Sequence, residues 1–218
     1  MISVNSKMQT SKLAVVLVAF VVVTANGHPV PDSEAVLGGA CPTIKYITNL
    51  TLPLTLGSWF LPFTSLDSAQ CYNNEGRTGF IAQHTASTLN IEMCCRCADT
   101  PDYACCGVDV GSGTASALAI PGVFEYVFAD GSRYNLYVLS LNYKRLTVVY
   151  GCKSAASPSE RDEVVLVFSR SNVVDSALEQ EVAGVLQQND IDFSKVKRIS
   201  HGPTIPYVPG VRSCDSQQ

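Results

Sequence analysis

Short strand-like segments fill the chain from Leu56 to Arg170, and this pattern constrains the fold more than any other feature. The segments are rich in Val, Tyr, Thr and Phe, and turn-forming residues separate them at intervals of roughly 8–12 residues. Such spacing is typical of an antiparallel meander that closes as a barrel or packs as a sandwich. No stretch in this range has helical periodicity. The sequence therefore predicts an all-β domain.

One amphipathic helix is predicted after these strands, over about residues 173–188. Its apolar stripe consists of Val174, Leu178, Val182, Val185 and Leu186. Glutamate and glutamine side chains occupy the opposite face, so we expect the helix to pack against the outside of the sheet.

Residues 1–27 have the composition of a secretion signal. Lys7 and Lys12 precede an apolar run of eleven residues, Leu13 to Val23, and small residues follow at Ala25-Asn26-Gly27. A membrane-spanning helix needs roughly 20 apolar residues, which favours a cleaved signal peptide over a single-pass anchor. We therefore expect a secreted, extracellular protein with no transmembrane segment.

Cleavage would leave about 190 residues, enough for one well-buried domain. We expect an N-terminal segment over 28–40, the domain over 41–214 and a tail over 215–218. The formal charge of −4 becomes −6 when the two signal-peptide lysines are lost, and no basic stripe remains for nucleic acid. Asn49-Leu50-Thr51 is a sequon that predicts glycosylation at Asn49.

Three motifs lie in order along the β-rich region. Gly57-Ser58-Trp59 opens the first strand, and Phe168-Ser169-Arg170 ends the last one. Between them, Leu141-Asn142-Tyr143 is followed by Val149-Tyr150-Gly151-Cys152. Together with the helix that follows, these motifs resemble those of the lipocalin family, in particular its insect and apolipoprotein D-like branch. The resemblance covers most of the mature chain, about Cys41 to Cys214.

The resemblance implies an eight-stranded antiparallel up-and-down barrel with one C-terminal helix packed outside. It also implies that Gly57, Trp59 and Arg170 close one end of the barrel. A guanidinium over the indole face would contribute about 0.5–2 kcal/mol. The alternative is an ordinary core tryptophan and a surface arginine. The chain departs from the family at Leu141-Asn142, where the family has Thr-Asp, and over residues 72–110.

Nine cysteines in a secreted chain are expected to be mostly paired, and the odd number leaves at least one thiol over. The resemblance implies two bridges, Cys41–Cys152 and Cys71–Cys214. Each would close a loop of more than 100 residues, for which chain entropy alone gives about 4–5 kcal/mol.

Five cysteines remain in a cysteine-rich hairpin over 94–106. Turn-forming residues between the two cysteine groups place Cys97 opposite Cys105, and Cys95 meets Cys106 after a one-residue slip. Cys94 is then the candidate free thiol, and it offers a route to a disulfide-linked dimer, with a non-covalent dimer as the alternative. A zinc site or a redox-active pair is disfavoured by the oxidising compartment and the Cys-x-Cys spacing.

Strand alternation predicts an apolar and aromatic lumen, although the same side chains could be ordinary core. The predicted lining consists of Leu61, Phe63, Phe124, Tyr126, Phe128, Leu136, Val138, Leu166 and Phe168. Such a lining suits a retinoid, carotenoid, bilin, sterol or fatty acid. A carrier of this kind requires no cofactor and no metal.

Catalytic motifs are absent from the sequence: it has no Gly-x-Ser-x-Gly elbow, His-Glu-x-x-His or phosphate loop. Of the three histidines, only His84 lies in a strand-like segment, where an ordinary strand histidine is favoured over a haem ligand or a base. We therefore predict a non-enzymatic carrier of a small hydrophobic molecule. The rival functions are an interaction protein that uses the hairpin over 94–106 and a thiol-dependent enzyme that uses Cys94 inside the barrel.

Overall fold

The structure is a computed structural model, and it describes residues 31–37, 39–66, 78–83, 85–94, 112–154, 161–199 and 201. The strands are β1 Ser33–Val36, β2 Thr43–Tyr46, β3 Gly57–Thr64, β4 Thr78–Gln83, β5 Thr88–Cys94, β6 Gly113–Ala117, β7 Val123–Phe128, β8 Arg133–Asn142, β9 Leu146–Ser154, β10 Arg161–Ser169 and β11 Lys197–Arg198. The α-helix α1 spans Ser176–Gln187, and two 3₁₀ helices span Leu52–Thr55 and Phe193–Lys195.

Strands β3 to β10 form one antiparallel sheet in which each strand pairs with the next along the chain. The sheet closes because β10 also pairs with β3, with Leu166 opposite Thr64 and Val167 opposite Phe63. On the other edge of β3, β4 covers only Gly57 to Phe60, and β11 pairs with Thr64 and Phe63. The prediction of an eight-stranded up-and-down barrel is confirmed.

The two ends of the barrel differ in what surrounds them. We call the end where β3 begins the floor; it carries the first 3₁₀ helix and the turns through 85–87, 118–122 and 143–145. We call the opposite end the mouth; β3 ends there, and the turn 129–132 joins β7 to β8.

The helix α1 packs on the outside of the barrel, as predicted. Asp175 caps its first turn by accepting a hydrogen bond from the Leu178 N–H at 2.8 Å, so the helix begins three residues later than expected. Its buried residues Leu178, Val182 and Leu186 belong to a cluster with outward-facing residues of β9 and β10.

A hairpin of β1 and β2 precedes the barrel, and alternation did not predict it. Ile44 and Tyr46 of β2 are buried in the same outer cluster as α1, and the Tyr46 ring meets Tyr137 edge-on at 5.3 Å. The hairpin is tied to β9 by a disulfide between Cys41 and Cys152. This bridge matches the first pairing that the family resemblance implied.

The predicted inward position of Phe63 is wrong. The β3–β10 register shifts between Val167 and Ser169, so the alternation of β3 breaks beyond Leu61. Phe63 is buried in the outer cluster beneath α1, where its ring meets Phe193 edge-on at 5.6 Å. Pro62 lies at the break, and proline has no N–H to give to a ladder, which makes it a common site of strand irregularity.

A second irregularity lies in β8, where the pairing with β9 shifts between Val138 and Ser140. Leu139 faces the outer cluster, as alternation from Val138 predicts, whereas Leu141 lies beyond the shift and faces inward opposite Thr147. Strict period-2 alternation from Val138 would have pointed Leu141 outward. The shift adds Leu141 to the interior at the floor end of the barrel.

Candidate functional site: the barrel floor and lumen

Trp59 forms the floor of the lumen. Its side chain is 1% exposed, and its indole Nε1–H donates a hydrogen bond to the Thr55 carbonyl at 2.7 Å. Phe168 meets the indole edge-on at 6.4 Å from the lumen side. The guanidinium carbon of Arg170 lies 3.6 Å from the ring centre. The structure therefore contains the closure contact that the motifs implied.

Arg170 also joins several backbone segments at the floor. Its Nη1 donates to the Ser58 carbonyl at 2.6 Å, its Nη2 to the Leu56 carbonyl at 2.9 Å, and its Nε to the Tyr143 carbonyl at 3.1 Å. Burial lowers the pKa of Arg170, but arginine starts so high that it stays charged. Gly57 has a φ of +98°, a left-handed conformation that favours glycine beside this guanidinium.

The Leu141-Asn142-Tyr143 corner makes two side-chain hydrogen bonds, through Asn142 and Tyr143. The Asn142 side-chain oxygen accepts the Lys144 N–H at 3.0 Å. The Tyr143 hydroxyl accepts the Thr51 N–H at 2.6 Å and so ties the turn to the segment before β3. An asparagine oxygen can accept here as an aspartate would, which explains why the exchange is tolerated.

A cavity of about 70 Å³ lies in the floor half of the lumen. Its wall is formed by Leu50, Leu52, Thr55, Leu89, Ile91, Ala115, Phe124, Tyr126, Leu136, Val138, Leu141, Thr147, Val149, Leu166 and Phe168. None of the described side chains that line it is charged.

Six of the nine predicted lining residues contact this cavity: Phe124, Tyr126, Leu136, Val138, Leu166 and Phe168. Leu61 and Phe128 are buried in the same inner core without lining the cavity. Sequence reasoning missed Leu50, Leu52 and Thr55, because they precede β3 and carry no strand alternation. A signal was available in Leu50 and Leu52, two apolar residues seven and five positions before Gly57 of the Gly-x-Trp strand.

Aromatic side chains fill the mouth side of the lumen. Tyr126 and Phe128 meet edge-on at 4.5 Å, and Phe128 meets Tyr134 at 5.7 Å. Met93, near the end of β5, is fully buried in the same inner cluster. We call Tyr126, Phe128, Tyr134 and Met93 the roof; of these, Tyr126 lines the cavity and the others pack in the same inner cluster. Leu50, Leu52 and Thr55 therefore border the cavity at the floor end, and Tyr126 borders it toward the mouth.

Two threonines line the cavity, and their hydroxyls differ in hydrogen bonding. The Thr55 Oγ1 donates to the Leu52 carbonyl at 2.7 Å. The Thr147 Oγ1 is buried and has no hydrogen-bond partner among the described residues.

Several sequence predictions fall on residues or side chains that the structure does not describe. These are the Cys71–Cys214 bridge, the pairing of Cys95, Cys97, Cys105 and Cys106, the roles considered for His84, and the thiol of Cys94, whose backbone ends β5. Within the described ranges, no cluster of three or more His, Cys, Asp or Glu could hold a metal ion. The helices described for this chain also include none that is long and apolar enough to cross a membrane. Asn49 of the sequon is exposed.

The closed antiparallel barrel, its Trp59–Arg170 floor and its outer helix define a lipocalin-type fold. No protein-family model matches the chain, and no curated protein sequence matches it. Solved structures do match: lobster apocrustacyanin A1 has a TM-score of 0.55 and 12% identity over 69% of this chain and 79% of its own. H1 crustacyanin from the lobster Homarus americanus has a TM-score of 0.56 and 13% identity over 80% of this chain and 93% of its own.

Crustacyanins are lipocalins, so the likeness shows that this chain has the lipocalin fold. The insect and apolipoprotein D-like branch stays a prediction.

Proposed function

We propose that this chain is a secreted carrier that binds a small hydrophobic molecule in the lumen of its barrel. The observation that carries this proposal is the cavity in the floor half of the lumen, whose described wall bears no charge. Concave, mostly apolar sites inside a rigid scaffold are typical of small-molecule binding. The lipocalin fold supplies such a scaffold.

The size of the cavity restricts how a ligand is accommodated. Pockets for drug-sized ligands usually measure roughly 300–1,000 Å³, whereas this one measures about 70 Å³. A retinoid, carotenoid, bilin, sterol or fatty acid therefore requires side chains of the wall or the roof to move. Phe124 is half-buried and lines the cavity, so rotation of its ring is a small change that would enlarge the site.

Three features support secretion. Residues 1–27 have the pattern of a signal peptide. The Cys41–Cys152 disulfide requires an oxidising compartment. Asn49 is exposed, as a glycosylated asparagine must be. Membership of the apolipoprotein D-like branch and a dimer linked through Cys94 remain part of this proposal.

Native mass spectrometry of protein secreted from eukaryotic cells tests the proposal. We expect a non-covalent mass that is lost on denaturation, a glycan that disappears in Asn49→Gln, and a mature chain that begins near residue 28. Repeated recovery of folded, empty protein that takes up none of the five ligand types would contradict the carrier function.

A further inference from the structure

The Thr147 hydroxyl is an unsatisfied hydrogen-bonding group in the wall of an apolar cavity, and its oxygen presents no open surface to that cavity. Thr147 is 9% exposed, its Oγ1 is buried, and that oxygen makes no hydrogen bond to any of the described residues. It lies on β9 opposite Leu141, two residues after the 143–145 turn, and therefore at the floor end of the cavity. Buried hydroxyls in folded proteins are almost always paired, so an unpaired one needs an explanation.

The other hydroxyls of the wall do not share this property. Thr55 already donates to the Leu52 carbonyl, and Tyr126 is not left without a partner. A trapped water would be a poor partner for Thr147, because a buried water typically needs about 2–4 polar neighbours. Apart from Thr55 and Tyr126, the other described residues of the wall are apolar, with Leu141, Val149 and Leu166 among them.

The absence of charge in the wall restricts what can reach this hydroxyl. Three described cations lie at the floor, and none of them lines the cavity. Arg170 lies against Trp59 and donates to backbone carbonyls, whereas Lys144 and Arg145 lie in the 143–145 turn, where Arg145 pairs with Glu181. A carboxylate brought into the cavity would lose its hydration without gaining a cation, which is costly. The wall movement that a ligand requires can turn the Thr147 hydroxyl into the cavity, where a neutral oxygen function exchanges one hydrogen bond with it at little cost.

We propose that the ligand is a neutral molecule with a keto, aldehyde or hydroxyl oxygen at one end, and that this end lies at the floor, hydrogen-bonded to Thr147 Oγ1. The apolar remainder then points toward the roof and the mouth. This inference rests on the proposed carrier function and names the ligand class for the same site. It narrows the ligand to alcohols, aldehydes and ketones and disfavours free fatty acids.

A matched pair of probes tests the inference on the intact secreted protein. 2-Nonanone and 2-methyl-1-nonene have the same carbon chain and differ in a carbonyl oxygen versus a methylene group. Calorimetric titration measures the affinity of both for wild type, Thr147→Val and Thr147→Ser. We expect Thr147→Val to weaken ketone binding about fivefold, as loss of a neutral hydrogen bond does. Its affinity for the alkene should be unchanged or higher, and Thr147→Ser should retain ketone binding.

Thr55→Val is the matched control, since it also removes a threonine hydroxyl from the wall. It breaks the bond to Leu52 and should lower stability while leaving the ketone-to-alkene affinity ratio unchanged. If Thr147→Val left that ratio unchanged while both probes bound, the role of Thr147 would be overturned and the carrier function would stand. If wild type bound neither probe, the carrier proposal would fail for compact ligands, and the inference with it.

Discussion

The guanidinium carbon of Arg170 lies 3.6 Å from the centre of the Trp59 ring and so joins the residue after the last barrel strand to the first barrel strand. The same guanidinium donates to backbone carbonyls of Leu56, Ser58 and Tyr143. The Arg170 side chain thus covers the indole of Trp59 and donates hydrogen bonds to the carbonyls of Leu56 and Ser58. It also donates to the carbonyl of Tyr143 and so fixes the β8–β9 turn. The floor of the lumen depends on this arrangement.

Replacement of Arg170 should destabilise the fold strongly. Arg170→Met removes a cation–π contact and leaves several carbonyls without a donor, so we expect a loss of about 2–4 kcal/mol in the free energy of unfolding. Arg170→Lys should lower the free energy of unfolding by a smaller amount, because lysine keeps the positive charge but lacks the planar set of donors. Urea denaturation measures both.

Arg133→Met is the control for loss of an arginine. Arg133 pairs with Glu125 at 3.4 Å, and both side chains are well exposed. Exposed pairs contribute about 0–1 kcal/mol, so this variant should unfold almost as wild type does. Equal effects of Arg170→Met and Arg133→Met would contradict the role given to Arg170.

Removal of the Cys41–Cys152 bridge should destabilise the protein, because the unfolded chain then gains conformational entropy. The two cysteines are 111 residues apart in sequence. The chain-entropy model gives about 4–5 kcal/mol for a loop of this length. The paired variant Cys41→Ala with Cys152→Ala should therefore have a much lower melting temperature, and its β1–β2 hairpin should be cleaved earlier in limited proteolysis. A shift of less than about 1 kcal/mol would mean that the hairpin is held by packing alone.

Stability should fall at alkaline pH partly because of Tyr150. Burial raises the pKa of its hydroxyl well above the usual value of about 10, and the negative charge of Glu163, which accepts its hydrogen bond at 3.0 Å, acts in the same direction. The folded state therefore keeps a proton that the unfolded chain releases. This stabilising contribution is present in full below about pH 10 and is lost as the pH rises further.

Urea unfolding between pH 9 and 11 measures this effect. Each such tyrosine lowers the free energy of unfolding by up to about 1.4 kcal/mol per pH unit above its unfolded pKa. Tyr150→Phe should be less stable than wild type near pH 8, because it loses the bond to Glu163, but its stability should fall less steeply above pH 10. Parallel curves for the two proteins would show that Tyr150 does not carry the alkaline loss.

The sequence predicted those parts of the site that depend on local motifs. Gly57, Trp59 and Arg170 are recognisable because a left-handed glycine, a buried indole and a planar cation are each required at fixed strand positions. The helix α1 could also be predicted from the sequence, since its one apolar stripe at helical spacing must face the barrel.

The parts that alternation misplaced depend on register. A one-residue shift in a strand reverses the side on which every later side chain lies. Pro62 offered a signal for the break that turns Phe63 outward, because proline cannot donate to the ladder. The sequence carries no such signal for the shift near Leu139. Tyr137 to Leu141 is a continuous strand-forming run that can pair with β9 in either register.

The lumen-filling variant Ala115→Leu tests the central claim most directly. Ala115 lines the cavity and is 4% exposed, so a larger side chain there occupies the proposed ligand space. Ala177→Leu on the exposed face of α1 adds the same atoms outside the barrel and serves as the control. In titrations with 2-nonanone, we predict that Ala115→Leu lowers affinity at least tenfold and that Ala177→Leu binds as wild type does. Undiminished binding by a folded Ala115→Leu protein would show that the ligand does not occupy the lumen.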